Sequence, residues 1–167
     1  MLLAIDVGNT QTVVGVYRNE DLLYRWRIGT NKHHTSDELR IRLRQLLDCE
    51  NIPVEGLRGV ALASVVPQLT LAWSAAVHYL LGKEALVCTA ETAGALFEAD
   101  YPNPREIGAD RVDGLVRRIF DQLGYETPVV ATGGLASRVA ALSRTITATN
   151  PELTLEGLRL VYDAREG

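Results

Sequence analysis

The chain has 167 residues, 47% hydrophobic, 23% charged and 6% aromatic, which is room for one ordinary domain or two small ones and too apolar for wholesale disorder. Lys and Arg total 17 against 21 Asp and Glu, a formal charge of -4, which argues against nucleic acid held through its phosphate backbone. No apolar run approaches the ~20 residues that span a bilayer, and Met1-Leu2-Leu3-Ala4-Ile5-Asp6 lacks the basic leader of a signal peptide. Cys49 and Cys88 have no CxxC spacing and are expected as small buried hydrophobes of a reduced compartment. A cytoplasmic protein without nucleic-acid or membrane partners is the expectation.

The first thirty residues read as strands. Leu2 to Val7 is an apolar run broken by Gly8-Asn9-Thr10, Thr12 to Tyr17 is rich in β-branched residues, and Leu22 to Ile28 alternates apolar and polar. Two hairpins then make an antiparallel meander. The period changes at Thr35-Ser36-Asp37-Glu38, a capping box with Thr35 as N-cap, followed by Leu39, Leu43, Leu46 and Leu47 on one helical face. Leu57 to Val66 reads as a strand, Leu69 to Leu81 as a helix ended by Gly82, and Ala85 to Cys88 as a short strand before a loop-rich stretch from Thr89 to Pro104. The order β-β-β-α-β-α-β is the half-unit of a ribonuclease-H-like or actin-like α/β domain, predicted over residues 1–107. A reduced second α/β domain is predicted over 108–167. It comprises a helix from Gly108 to Leu123, a strand from Pro128 to Thr132, a helix from Ala136 to Leu142, a strand from Thr145 to Thr149 and a last helix from Leu155 to Tyr162.

Three local features carry chemistry. In Asp6-Val7-Gly8-Asn9-Thr10, Gly8 lets backbone approach a ligand, turn N–H groups with Asn9 and Thr10 can cradle an anion, and Asp6 is placed to hold hydrated Mg2+ beside it. The same residues also suit an ordinary hairpin turn. In Gly108-Ala109-Asp110-Arg111, Asp110 can take a proton from a hydroxyl and Arg111 can hold a carboxylate or phosphate, or the pair can be a helix-start acid with a solvated neighbour. Val129 to Ala136 runs from a strand through Gly133-Gly134 into a helix, bringing backbone near a nucleotide or simply turning the chain. His33, His34 and His78 have no zinc-site spacing, and Trp26 and Trp73 read as packing residues.

Taken in order, these motifs resemble the type III pantothenate kinases, a family of the acetate-and-sugar-kinase/Hsp70/actin superfamily. Asp6-Val7-Gly8-Asn9-Thr10 resembles its first phosphate motif, and Trp26-Arg27 with Thr35-Ser36-Asp37-Glu38-Leu39 resembles the segment that follows. Ser64-Val65-Val66-Pro67 is similar to its strand-to-helix junction, and Tyr101 to Arg111 to its pantothenate-binding stretch. Thr132 to Ala136 and Leu153 to Leu158 are similar to its C-terminal region. One departure stands out. In the family a long stretch separates the Gly-Ala-Asp-Arg helix from the segment resembling Val112-Asp113-Gly114-Leu115, and it carries the second domain's meander and an Asp-Phe-Gly-Thr-Ala-Thr-like phosphate and cation motif. About a hundred residues are missing here, by the usual size of two such domains.

The resemblance implies ATP-dependent phosphorylation of pantothenate, the first step of coenzyme A synthesis. Asp6, Val7, Gly8, Asn9, Thr10, Gln11, Thr12 and Val13 would bind ATP, with Asp6 near Mg2+. Tyr101, Gly108, Ala109, Asp110 and Arg111 would bind pantothenate, Asp110 would be the general base, and Gly133 and Gly134 would offer a nucleotide contact. The family also implies a monovalent cation, K+ or NH4+, whose ligand is not in this chain, and a homodimer. The second reading is a non-catalytic nucleotide-binding or dimerising remnant of the same family.

Overall fold

In the computed structural model, which describes residues 1–89 and 109–166, β1 (Leu2–Val7) is the central strand of a five-stranded sheet. It pairs antiparallel with β2 (Gln11–Arg18) and parallel with β4 (Gly59–Ser64), β3 (Asp21–Gly29) and β5 (Ala85–Val87) forming the edges, in the order β3-β2-β1-β4-β5. The meander and the later crossovers therefore form as the sequence predicts. A strand covered on both faces reads as a continuous apolar run rather than an alternating one, which is why β1 is almost entirely buried. Leu3, Ile5 and Val7 face α1 (Ser36–Cys49) and α2 (Pro67–Leu81), packing with Leu39, Leu43, Leu47, Leu69 and the fully buried Trp73. Each such buried aliphatic side chain contributes ~1.5–3 kcal/mol. The Thr35–Glu38 capping box forms in both directions, Thr35 N–H donating to Glu38 Oε2 at 2.8 Å and Glu38 N–H to Thr35 Oγ1 at 3.3 Å.

The opposite face of β1 carries Leu2 and Ala4, and with Tyr17 and Ala61 it packs on Leu155, Leu158 and Tyr162 of α5 (Leu153–Glu166). This takes α5 out of the second domain predicted over 108–167. Among the described residues, one compact unit comprises 1–89 with 155–166, and the other comprises 109–154. The physical reason lies in two glycines. Gly15 leaves room for the Leu155 side chain and Gly59 for the Tyr162 ring, so the helix sits flush on the sheet of the first unit.

The second unit holds α3 (Ala109–Leu123), β6 (Val130–Ala131), α4 (Ala136–Ala140) and β7 (Ala148–Thr149). β6 and β7 pair in parallel, Val130 opposite Ala148. Both strands are shorter than predicted because Thr147 Oγ1 takes the Val129 N–H at 2.9 Å, and Thr145 is drawn to Asp113 instead of a strand partner. No described residue from 112 to 154 is buried.

The expectation of two buried cysteines also needs correction. Cys49 ends α1 on its solvent side and is exposed, and Cys88 follows β5 and is half-buried. Both are free thiols. Of the tryptophans, Trp26 is half-buried and stacks on Tyr24, with ring centroids 6.0 Å apart. No described helix is long and apolar enough to cross a membrane.

Candidate active site

Parallel β1 and β4 end side by side, Asp6 opposite Ala63 and Val7 opposite Ser64, and the carboxyl ends of parallel strands are where open α/β sheets bind ligands. The turn there is narrow. Gly8 N–H donates to Gln11 C=O at 3.0 Å, and a Cβ on Gly8 would lie 2.9 Å from that oxygen, so a side chain would meet backbone. Asn9, Thr10 and Gln11 are exposed at the tip. Below them Thr12 is buried and shares a 2.9 Å hydrogen bond between its Oγ1 and that of Thr30, while Thr30 N–H donates to Thr10 C=O at 2.9 Å. These bonds fix the exposed tip to β3. Val65 N–H donates to Val7 C=O at 3.0 Å and holds the β4–α2 junction against the same turn. At that junction the Ser64 hydroxyl donates to Val66 C=O and accepts from Val66 N–H, which ends β4 before the predicted Val66 and lets α2 begin with Pro67 at its first position.

Asp6 points to the α5 face of the sheet, the side shared by Leu2 and Ala4 in the two-residue period of the strand. Its carboxylate has no hydrogen-bond or ion-pair partner among the described residues, and burial pushes its pKa up from the ordinary value. A half-buried acid with neither donor nor cation beside it is poised for a positively charged or hydrated ligand.

Of the other predicted site residues, Ala109, Asp110 and Arg111 are the first described residues of α3, in the second unit. Tyr101 and Gly108 lie outside the described residues. Gly133 has φ 99°, a left-handed conformation that glycine adopts without strain, and its C=O accepts from Ala136 N–H at 3.1 Å. With Gly134 it makes the predicted strand-to-helix turn, although α4 spans only five residues and brings little dipole. Asp6 to Val13 thus gather in one hairpin of the first unit, while Asp110, Arg111, Gly133 and Gly134 belong to the second.

Asp113 escapes the sequence reading. It accepts from the Ser143 hydroxyl, the Arg144 N–H at 2.9 Å, and the Thr145 hydroxyl and N–H at 2.7 and 3.3 Å. The Ser143 hydroxyl first, then the Arg144 amide and Thr145, hold its carboxyl well below the usual carboxylate range. The available signal was the Ser143-Arg144-Thr145 donor run, which has no fixed spacing to an acceptor thirty residues earlier.

The fold is an actin-like α/β fold shared with two solved kinases. It matches an inorganic polyphosphate/ATP-glucomannokinase from Arthrobacter sp. with a TM-score of 0.58 at 16% identity, over 98% of each chain. A hexokinase of the ROK group from Thermus thermophilus matches with a TM-score of 0.52 at 10% identity, over 99% of each. By sequence the chain belongs to the type III pantothenate kinase family, whose model matches residues 2–147. A type III pantothenate kinase from Roseiflexus castenholzii is 28% identical over 253 positions, covering 98% of both proteins. One from Finegoldia magna is 35% identical over 130 positions, covering 78% of this chain and 48% of that protein. An alignment of 253 positions against 167 residues leaves at least 86 positions of the first relative without a counterpart here.

Proposed function

We propose that the chain transfers the γ-phosphoryl group of ATP to the primary hydroxyl of pantothenate, giving 4'-phosphopantothenate at the first step of coenzyme A synthesis. The observation that carries this reading is the partnerless, half-buried Asp6 carboxylate beside the exposed Gly8–Thr10 turn, in a chain of this family. Asp6 to Val13 bind the triphosphate, the turn lending backbone N–H groups and the Asn9 and Thr10 side chains. Gly133 and Gly134 add backbone contact to the nucleotide. Tyr101, Gly108, Ala109 and Arg111 hold pantothenate, Arg111 through its carboxylate. Asp110 is the general base. As the hydroxyl oxygen bonds to the γ-phosphorus, the bond to the β–γ bridging oxygen breaks, ADP leaves with that electron pair, and the hydroxyl proton passes to the Asp110 carboxylate.

Asp6 suits Mg2+, because a desolvated carboxylate without a donor gains most from a hydrated cation. When bound, the ion neutralises charge on the phosphates. The monovalent cation that the family implies, K+ or NH4+, finds no ligand group among the described residues, and no step runs through it. A homodimer is the proposed working form, supported by Ile119 and Leu123 of α3, 51% and 46% exposed along an otherwise apolar face. The free thiols of Cys49 and Cys88 and the use of ATP suit a cytoplasmic setting.

A coupled ADP-release assay tests the reaction. Release should depend on pantothenate and fall by about 10²–10⁴-fold in Asp110→Asn, while calorimetric Mg-ATP affinity stays near that of the wild type. Absence of pantothenate-dependent release, or an Asp110→Asn variant as fast as the parent, would overturn the assignment.

A further inference from the structure

The first unit has a concavity at the end of its sheet opposite the Asp6–Gly8 turn. Gly59 lies opposite Leu2 and Ser64 opposite Val7, so five steps of ~3.3 Å separate it from the phosphate turn by roughly 16 Å. A cavity of about 430 Å³ opens there between Arg58, Lys83, Glu84, Tyr162 and the chain at Gly59 and Leu86, a volume within the range of small-ligand pockets.

Its lining carries two cations, Arg58 and Lys83, against one acid, Glu84, with Asp163 and Arg159 beyond it. Asp163 has both oxygens engaged, Oδ1 by Arg58 Nη2 and Oδ2 by Arg159 Nη1 at 3.1 Å, so one carboxylate serves two guanidinium groups. Arg159 is nine-tenths buried and its Nε has no partner. Glu84 lines the rim as a largely exposed acid, 2.8 Å from His78 Nδ1. Lys83 is exposed and has no partner among the described residues. Arg58 lies 5.3 Å over the Tyr162 ring with about half its side chain, 47%, open to solvent.

We propose that this cavity binds a small phosphate monoester, with Lys83 and the open edge of Arg58 as charge partners and the Tyr162 ring as its wall. The site is separate from the reaction proposed above, since none of these residues belongs to the phosphate turn or the pantothenate stretch. Titration of the full chain with glycerol 3-phosphate, followed by amide NMR with glycerol as control, tests it. Saturable shifts should appear at Gly59 and at Lys83 to Leu86, with none from glycerol. Lys83→Glu should weaken the binding by about tenfold or more, and Lys83→Arg should preserve it. Lys83 is exposed and unpartnered, so both variants should melt as the parent does. Shifts confined to Gly8–Thr12, no saturable shifts, or an undiminished response in Lys83→Glu would overturn the assignment.

Discussion

Replacing Gly59 with alanine asks how tightly α5 is fitted to the sheet. A Cβ there would overlap the Tyr162 hydroxyl and ring and come within 2.8 Å of Cε2, where carbons attract only at ~3.5–4.0 Å. The obstacle is a rigid ring on a helix also anchored by Leu155 and Leu158, so it cannot yield as the end of a flexible side chain would. Two limits bracket the cost. The protein can always expel the ring, so the penalty cannot exceed that of losing a buried aromatic, about 3–5 kcal/mol. If α5 instead shifts and keeps part of its contact, the cost is that of overpacking, about 1–3 kcal/mol. We expect about 2–4 kcal/mol, a large fraction of a typical domain's stability. In a Tyr162→Ala background the same alanine has space, and by restricting the unfolded chain it becomes neutral or stabilising by about 0.4–1 kcal/mol. Urea unfolding of the four proteins, followed by far-UV circular dichroism and Trp73 fluorescence, should give a coupling of at least about 2 kcal/mol. Additivity within about 0.5 kcal/mol, or a Gly59→Ala protein as stable as the parent, would refute the packing of α5 described above.

Thr35→Ala removes the acceptor for the Glu38 N–H and should cost about 1 kcal/mol in thermal melts, with Thr35→Ser retaining most of it; equal losses would contradict the capping box. Asp113 has a depressed pKa, so its stabilisation is complete above the ordinary carboxylate value and fades as pH falls below it. Protection of the Arg144 and Thr145 amides from exchange should therefore drop on acidification in the parent and lose that dependence in Asp113→Asn. Asp6 is the opposite case: burial raises its pKa, so the stability tied to its protonated form is present at low pH and lost as pH rises through the folded value. Without ligands, Asp6→Asn should melt higher than the parent at pH 7 and nearly level with it at pH 4, yet turn over at least about 100-fold more slowly. A variant less stable at pH 7, or one with full turnover, would remove Asp6 from the site.

The first half was legible because its patterns are decided locally. β1 to β3 alternate or run apolar according to which faces are covered, and Thr35 with Glu38 announces α1 by a bond within four residues. α5 was legible as a helix but not as to its destination. The spacing of Leu155, Leu158 and Tyr162 specifies one buried face, and only Gly15 and Gly59, far away in sequence, specify which sheet receives it. A glycine inside a strand signals close approach by something, without naming it. The buried-cysteine expectation failed for Cys49 because it followed the residue's average habit and ignored a place on the open side of a helix end. Within the candidate site, the Asp6–Gly8 turn followed from residue type alone. Asp113 did not, since a carboxylate's donors are fixed by chain folding and not by spacing.

The distribution of buried residues shows what the first unit rests on. The two core clusters draw on residues 2–77 and 155–162, and no described residue from 112 to 154 is buried. The departure from the family's pattern, near Val112, falls between those two sources. α5 still returns to cover Leu2, Ala4 and Ala61, which would otherwise face water. The hydrogen bonds described for the Asp6–Gly8 turn all come from the first unit, from residues between Val7 and Val66. Nucleotide affinity and pantothenate turnover should accordingly separate in this chain. Substitutions on the first unit, such as Asp6→Asn, should affect both, whereas Asp110→Asn should remove turnover alone. A loss of Mg-ATP affinity in Asp110→Asn matching that of Asp6→Asn would contradict that separation.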